Sequence, residues 1–377
     1  MILGLFFTRG VSLKTWMETG LFGREKLLYE TYLKYNHFSK IILFTYGSDD
    51  ENIAKVLKRQ GQLHNKIEII PMPNIFDNNI GELLYSFILP LWHVKKCINI
   101  DVFKTNQMDG SWAGVIAKLL YGKPLVVRCG YELFQTIKRK SYNNLKILII
   151  YFISKISYIF SDIIILPSKN ISEFVHRSFR VPKVKIKYHS NYVDTELFKP
   201  IEILEKRKRV LFVGRLSEEK NILSLIEACK NLGVGLDIIG DGVLKDYIKN
   251  YIQSEEIIDV KIIKSVGNDQ LPYYMNSHII FVLPSFYEGN PKVLLEAMAC
   301  GMAVVGTDVP GINNIIFNNV NGILCNTGSK SIEEALESLY NNPEKRKRLG
   351  ISARKYILKN CSLNSYVKFE FSCLKML

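Results

Sequence analysis

The chain has 377 residues, 47% of them hydrophobic, and a formal net charge of +14. One core stops growing at roughly 250–300 residues, so two domains are expected. Seven cysteines without a C-x-x-C pair argue against a zinc site or a disulfide framework, and the cationic excess predicts an anionic partner.

The apolar start lacks a basic leader and a small-residue cleavage site, so Ile2–Phe7 reads as a first strand and not a signal peptide. The loop Thr8–Ser12 after it carries Arg9 and Gly10. The pattern then predicts a helix over Leu21–Tyr35, a strand at Lys40–Thr45, a helix over Glu51–Gln60 and a short strand at Ile67–Ile70. Gly81–Lys96 is helical in period, with Pro90 expected to kink or break it. Asp101–Thr105 is a strand with the exit loop Asn106–Gly110, and Trp112–Tyr121 a helix. Pro124–Arg128 is a strand that leaves through Cys129-Gly130-Tyr131-Glu132.

The longest apolar run, Leu145–Phe160, is broken by Lys146 and Lys155, and a membrane span needs about 20 apolar residues. It reads as a core-facing helix or, with Lys138-Arg139-Lys140 before it, as a lipid-facing one. Ile163–Leu166, a helix over Lys169–Arg177 and a short strand at Lys185–His189 close this half. Alternating strands and helices predict a mostly parallel, doubly wound domain.

The charged run Glu202–Arg209 reads as a linker. A second series follows: strands at Val210–Val213, Leu236–Ile239 and Val260–Ile263, with helices over Leu244–Gln253 and Leu271–Asn276. Ile279–Leu283 is an apolar run that reads as a buried strand, and Pro284–Gly289 its exit loop. Asn290 suits a helix N-cap and Pro291 the first helical position. Val293, Leu294, Ala297 and Met298 form the apolar face of that helix, and Gly301 ends it. Ala303-Val304-Val305 begins the next strand. A small strand at Asn321–Leu324 and helices over Ser331–Tyr340 and Pro343–Leu358 complete the chain.

Acids and cations gather where these strands end. Glu288 lies on the loop before the helix, and Glu296 eight positions later within it. Open α/β sheets bind ligands at the carboxyl ends of their strands, where helix N-termini offer free N–H groups to anions. Gly214-Arg215-Leu216 through Lys220-Asn221 puts two cations on one loop, Arg as a fork and Lys as a point charge for a diphosphate. Gly240-Asp241-Gly242 lies between these stretches and alone is a weak signal.

The run from Glu288 to Gly301 resembles the E-x7-E signature of the retaining glycosyltransferases of family 4, GT-B enzymes that use nucleotide-sugar donors. The G-R-L-x-x-x-K-N string resembles the same family's donor-diphosphate loop, and Gly240-Asp241-Gly242 its loop near the nucleotide base. The resemblance implies an α/β GT-B fold: two doubly wound Rossmann-like domains facing each other across a cleft. The expected divisions are 1–195 on the acceptor side, 196–360 for the nucleotide-sugar, and 361–377 as a tail packing back on the first domain. It also implies that Arg215 and Lys220 hold the diphosphate, Glu288 faces the donor sugar and Glu296 holds the ribose. Gly214, Gly240, Asp241, Gly289, Asn290, Pro291 and Lys292 complete the expected donor site.

Departures from the family pattern cluster in the first half. Arg9-Gly10 stands where Gly-Gly is usual, and Cys129-Gly130 where His-Gly is usual. Tyr192 replaces a Gly in the connecting segment Asn191–Pro200. Arg9, Gly10, Arg128 and Cys129 are therefore the cleft candidates on the acceptor side. A thiol is a weaker and shorter donor than a His ring. Cys129 is thus expected to face a sugar lacking one hydroxyl, such as a 6-deoxy donor, unless Arg128 or Glu132 supplies the missing bond.

The expected activity is retaining transfer of a hexose from a UDP- or GDP-sugar to a glycan or lipid-linked acceptor in surface polysaccharide biosynthesis. No cofactor or metal is expected, because the cations and the helix-end amides near Asn290–Lys292 can stabilise the leaving diphosphate and no D-x-D dyad is present. The location expected is cytoplasmic or peripheral on the inner membrane face, with an anionic membrane surface as partner and no nucleic acid. A non-catalytic basic α/β module for anionic membrane or nucleic acid explains the charge equally well. It does not explain two acids and two cations at strand ends. A nucleotide-sugar epimerase of similar architecture is disfavoured by the E-x7-E form.

Overall fold

The computed structural model describes residues 1–377 except Tyr131, 140–142 and 204–206, and the backbone alone of Arg139. The basic run Lys138–Lys140 and the charged run Glu202–Arg209 therefore lie partly outside the described residues. The chain forms two compact units, Met1–His189 with Val367–Leu377, and Ser190–Tyr366.

In the first unit the strands are β1 (Ile2–Phe6), β2 (Lys40–Phe44), β3 (Ile67–Ile70), β4 (Val102–Thr105), β5 (Leu125–Arg128), β6 (Ile163–Leu166) and β7 (Ile186–Tyr188). They form one parallel sheet in the order β3-β2-β1-β4-β5-β6-β7. Near-continuous runs such as Lys40–Phe44 and Ile163–Leu166 are what a strand covered on both faces requires. From β1 the chain moves outward to β2 and β3, then returns to β4 and runs the other way. The switch point lies between β1 and β4, where an open α/β sheet leaves a crevice.

The second unit repeats the plan with β8 (Arg207–Val213), β9 (Gly235–Ile239), β10 (Val260–Ile263), β11 (His278–Leu283), β12 (Ala303–Thr307) and β13 (Ile323–Cys325). Their order is β10-β9-β8-β11-β12-β13, again parallel, with the switch point between β8 and β11. Val210, Phe212, Ile238, Ile280, Val282 and Val304 lie in its core.

Several expectations are corrected. The charged run is not all linker, because β8 begins at Arg207. Arg207 and Arg209 point to the buried Asp237 on β9, with Arg209 Nε 2.7 Å from Asp237 Oδ1. The stretch expected as one helix over Gly81–Lys96 is two, Asn79–Trp92 and Val94–Cys97, with Pro90 inside the first and the interruption at His93. Helices at Leu13–Glu18 and Leu363–Leu374 were not expected. The second reaches back into the first unit, where its Glu370 forms a fully buried ion pair with Lys104 of β4 and accepts a hydrogen bond from the Tyr32 hydroxyl.

The apolar run near residue 150 is a helix, Asn144–Phe160, and it does not face the core: only Ser154, Ser157 and Tyr158 of it are buried. Among the described residues, no helix is long and apolar enough to cross a membrane.

Candidate active site

At the switch point of the second unit, the loop leaving β8 meets the loop leaving β11. Lys220 Nζ lies 2.5 Å from Glu288 Oε1, and both side chains are largely shielded from solvent. The same carboxylate oxygen accepts from Ser285 Oγ at 2.7 Å. Ser285 is held in turn by Thr307, whose hydroxyl donates to its carbonyl at 2.5 Å.

Two further links fix the loops to each other. Phe286 N donates to Glu219 O at 2.9 Å. Asn221 Nδ2 donates to the carbonyls of Pro284 and Thr327 at 3.0 and 2.8 Å. Asn221 adopts a left-handed conformation, φ 52°, which Asn tolerates better than most residues. The clamp roles of Asn221, Ser285 and Thr307 escaped sequence reasoning. The Asn after Lys220 was the one available signal for the first.

Arg215 is exposed on the same loop. Burial alone would raise the pKa of Glu219, but the Ser217 hydroxyl and the charges of Lys220 and Arg215 hold it below the usual carboxylate range. The loop is therefore a cationic environment even with Glu219 on it.

The glycines of Gly240-Asp241-Gly242 serve close packing. A Cβ at Gly240 would collide with the Gly214 carbonyl oxygen, and one at Gly242 with the backbone of Leu216. Leu216 N donates to Asp241 O at 2.9 Å, and Leu244 N to Leu216 O at 3.0 Å. The weak motif and the Gly214–Leu216 loop are thus one backbone-to-backbone layer. Asp241 itself is exposed, pairs with Lys245 at 2.7 Å and accepts from Gly242 N at 2.8 Å.

The helix after β11 starts one residue later than expected, at Lys292, with Pro291 at the cap position and no side-chain cap. Asn290 is not the cap, because its side chain is engaged elsewhere. Its Oδ1 accepts from Asn191 N at 2.9 Å and from Ser190 Oγ at 3.1 Å, while Asn191 Nδ2 donates to Asn290 O at 2.9 Å. Lys292 Nζ lies 5.3 Å from the Tyr192 ring centroid, so the Tyr that departs from the family pattern has a cationic neighbour. Glu296 is buried in the second turn of the helix. Gly289 has open space where a Cβ would sit. Gly311, at φ 91°, is required beneath the loop, since a Cβ there would strike the Glu288 carbonyl.

The first unit carries a parallel feature. Across its own switch point Arg9 Nε lies 3.2 Å from Asp109 Oδ1, and Arg9 N donates to Asp109 O at 3.2 Å. Gly10 follows with φ 71°. Arg128 and Cys129 are placed differently from expectation. Arg128 is 5% exposed and acts electrostatically on the buried Lys104 and Glu370. Cys129 is 2% exposed, its Sγ 3.8 Å from the Tyr158 hydroxyl, and burial pushes its thiol up to about 12. Tyr158 also donates to Glu132 at 3.4 Å, and burial raises the Glu132 carboxyl. Cys129 thus belongs to an interior polar cluster of the first unit, and the 6-deoxy donor inferred from it loses its geometric basis.

Among the described residues, no group of three or more His, Cys, Asp or Glu is placed to hold a metal ion.

Comparison with known proteins places both halves. Residues 193–356 match the family described as Glycosyl transferases group 1, and residues 37–197 match Glycosyltransferase Family 4. N-acetylgalactosamine-N,N'-diacetylbacillosaminyl-diphospho-undecaprenol 4-alpha-N-acetylgalactosaminyltransferase of Campylobacter jejuni is 32% identical over 283 residues, covering 72% of this chain and 76% of that protein. UDP-Gal:alpha-D-GlcNAc-diphosphoundecaprenol alpha-1,3-galactosyltransferase of Escherichia coli is 27% identical over 256 residues, 63% of this chain and 65% of that one. A Methanocaldococcus jannaschii glycosyltransferase without assigned substrates is 31% identical over 147 residues, 39% of this chain and 42% of its own length. The chain thus spans less than two thirds of the last two relatives. Among solved structures, Anabaena HepE in complex with UDP matches over 100% of both chains with a TM-score of 0.77 at 17% identity, a likeness of fold.

Proposed function

The chain belongs to the GT-B glycosyltransferases of family 4, and we propose that it transfers a hexose from a UDP-sugar to a lipid-linked glycan with retention of anomeric configuration. The observation that carries this reading is the Lys220–Glu288 pair at the switch point, 2.5 Å apart on loops that Asn221 clamps together. Arg215 and Lys220 take the donor diphosphate. Lys220 then exchanges the Glu288 carboxylate for phosphate oxygens, and the released Glu288 turns to the transferred sugar. As the glycosidic bond breaks, negative charge grows on the diphosphate and the two fixed cations stabilise it more than they did the ground state. Glu296 holds the ribose, and the open space beside Gly289 leaves room for the donor. No metal is needed in this scheme, because the cations do the work a divalent ion would do.

The acceptor proposal rests on the relatives, two of which act, by name, on undecaprenol-diphosphate-linked sugars. An acceptor of that kind sits in a membrane, so the protein works peripherally at a membrane surface, in the assembly of a surface glycan.

A thermal-shift screen with UDP, GDP and their sugars tests the reading. A ligand at about 100 times its Kd stabilises by about 2.7 kcal/mol. A shift specific to one nucleotide is expected. No shift with any of them contradicts the donor site.

A further inference from the structure

The Asn144–Phe160 helix turns much of its apolar surface outward. The residues it buries include Ser154 and Ser157, the latter 2.7 Å from Ser111 Oγ. The stripe it exposes is Leu145, Leu148, Ile149, Phe152, Ile156 and Ile159, each between 44% and 63% exposed. A helix facing water shows the opposite arrangement.

Its neighbours extend the surface. The Ser111–Tyr121 helix packs against it and against the Asn79–Trp92 helix. These connections run from β3 to β4, β4 to β5 and β5 to β6, all in one direction across the sheet, so right-handed crossovers put the helices on one face. Leu119 and Leu120 are exposed on the middle helix, and Ile80, Leu84, Phe87 and Leu91 on the outer one. Apolar patches larger than a few hundred Å² are rare on soluble monomers and mark interaction surfaces.

Charge selects the occupant. The Ser111–Tyr121 and Asn144–Phe160 helices contain no acidic residue. Lys138 is exposed ahead of the second, and Lys146 and Lys155 lie within it. Apolar stripes with lysines that can reach past them match a bilayer whose headgroups are anionic. None of these helices can span it. We propose that this three-helix face lies in the interface of an anionic membrane. The inference deepens the lipid-linked-acceptor reading, since it names the surface through which the protein meets the acceptor.

Cosedimentation of the full chain with vesicles tests it, using phosphatidylcholine alone or mixed with phosphatidylglycerol. The protein should bind the mixed vesicles, and raised salt should weaken binding without abolishing it. Leu148→Asn/Phe152→Asn, at exposed positions, should lower binding by about tenfold or more. Lys138→Glu/Lys146→Glu should lower it on the mixed vesicles while leaving the apolar stripe intact. UDP affinity by calorimetry should be unchanged in both variants, which separates this surface from the donor site. Wild-type protein left in the supernatant overturns the proposal, as do variants that bind like wild type. A wild-type dimer by light scattering, broken by Leu148→Asn/Phe152→Asn and without lipid binding, assigns the face to a second copy instead.

Discussion

Lys220 and Glu288 are 68 residues apart in sequence and 2.5 Å apart in space, at the point where the strand order of the second sheet reverses. Arg9 and Asp109 bridge the same point of the first sheet at 3.2 Å. In each unit, then, the loops that diverge at the crevice are tied by an ion pair. In the second unit the pair joins the cation assigned to the diphosphate with the acid assigned to the sugar. In the proposed mechanism each keeps the other partly neutralised until a donor offers a better partner to both.

Removing the cations should cripple turnover. Loss of one preorganised group facing a developing charge costs on the order of 10²–10³ in rate. Arg215→Ala and Lys220→Ala should each lower kcat on that scale, with far-UV circular dichroism and melting temperature near wild type. Steady-state kinetics check it. Variants that keep more than about half the wild-type kcat would refute the phosphate assignment.

The buried Lys104–Glu370 pair makes a separate prediction about stability. Removing one partner of a buried pair costs about 3–5 kcal/mol because the other charge is stranded. Lys104→Ala and Glu370→Ala should each fall in that range by urea unfolding, while Lys104→Met/Glu370→Leu should cost less than either. Burial opposes ionisation of Glu370, but the Lys104 ammonium and the bonds from Lys104 and Tyr32 outweigh it, leaving the carboxyl below its ordinary 4.5. A depressed carboxyl contributes stability above its unfolded pKa and loses it as pH falls through the folded one. Glu370→Gln should therefore lose less stability than wild type on acidification from about pH 5 to 3. A wild-type acid slope in that variant would contradict the pairing.

Product stereochemistry and metal dependence follow from the proposed chemistry. NMR of the product should show the donor's anomeric configuration, and turnover should survive EDTA. An inverted product refutes the first half. Activity lost to EDTA and restored by a divalent ion refutes the second.

How much of this was legible in the sequence depends on the range over which each residue finds its partners. The β/α alternation, both sheets' strands and the two loops that meet at the second switch point are local patterns, and they could be read directly. Asn290 looked like a cap because capping is local, yet its partner Asn191 is 99 residues away. Arg207 and Arg209 looked like linker because their partner, Asp237, lies on the next strand. Cys129 looked open because its cover, Tyr158, comes from a distant helix. The apolar run Leu145–Phe160 was legible, but not which face of its helix meets the sheet. That was decided by Ser154, Ser157 and Tyr158 packing inward.

Calorimetry with bare UDP on wild type, Lys220→Ala, Glu288→Gln and Glu296→Gln tests the central claim most directly. If the diphosphate displaces Glu288 from Lys220, wild type binds UDP and Lys220→Ala binds it at least about tenfold more weakly, near 1.4 kcal/mol. Glu296→Gln loses affinity with the ribose contact, and Glu288→Gln, with Lys220 already released, binds as well as wild type or better. A wild type that binds neither UDP nor GDP would contradict the account, as would Lys220→Ala binding as tightly as wild type or equal losses in the two glutamate variants.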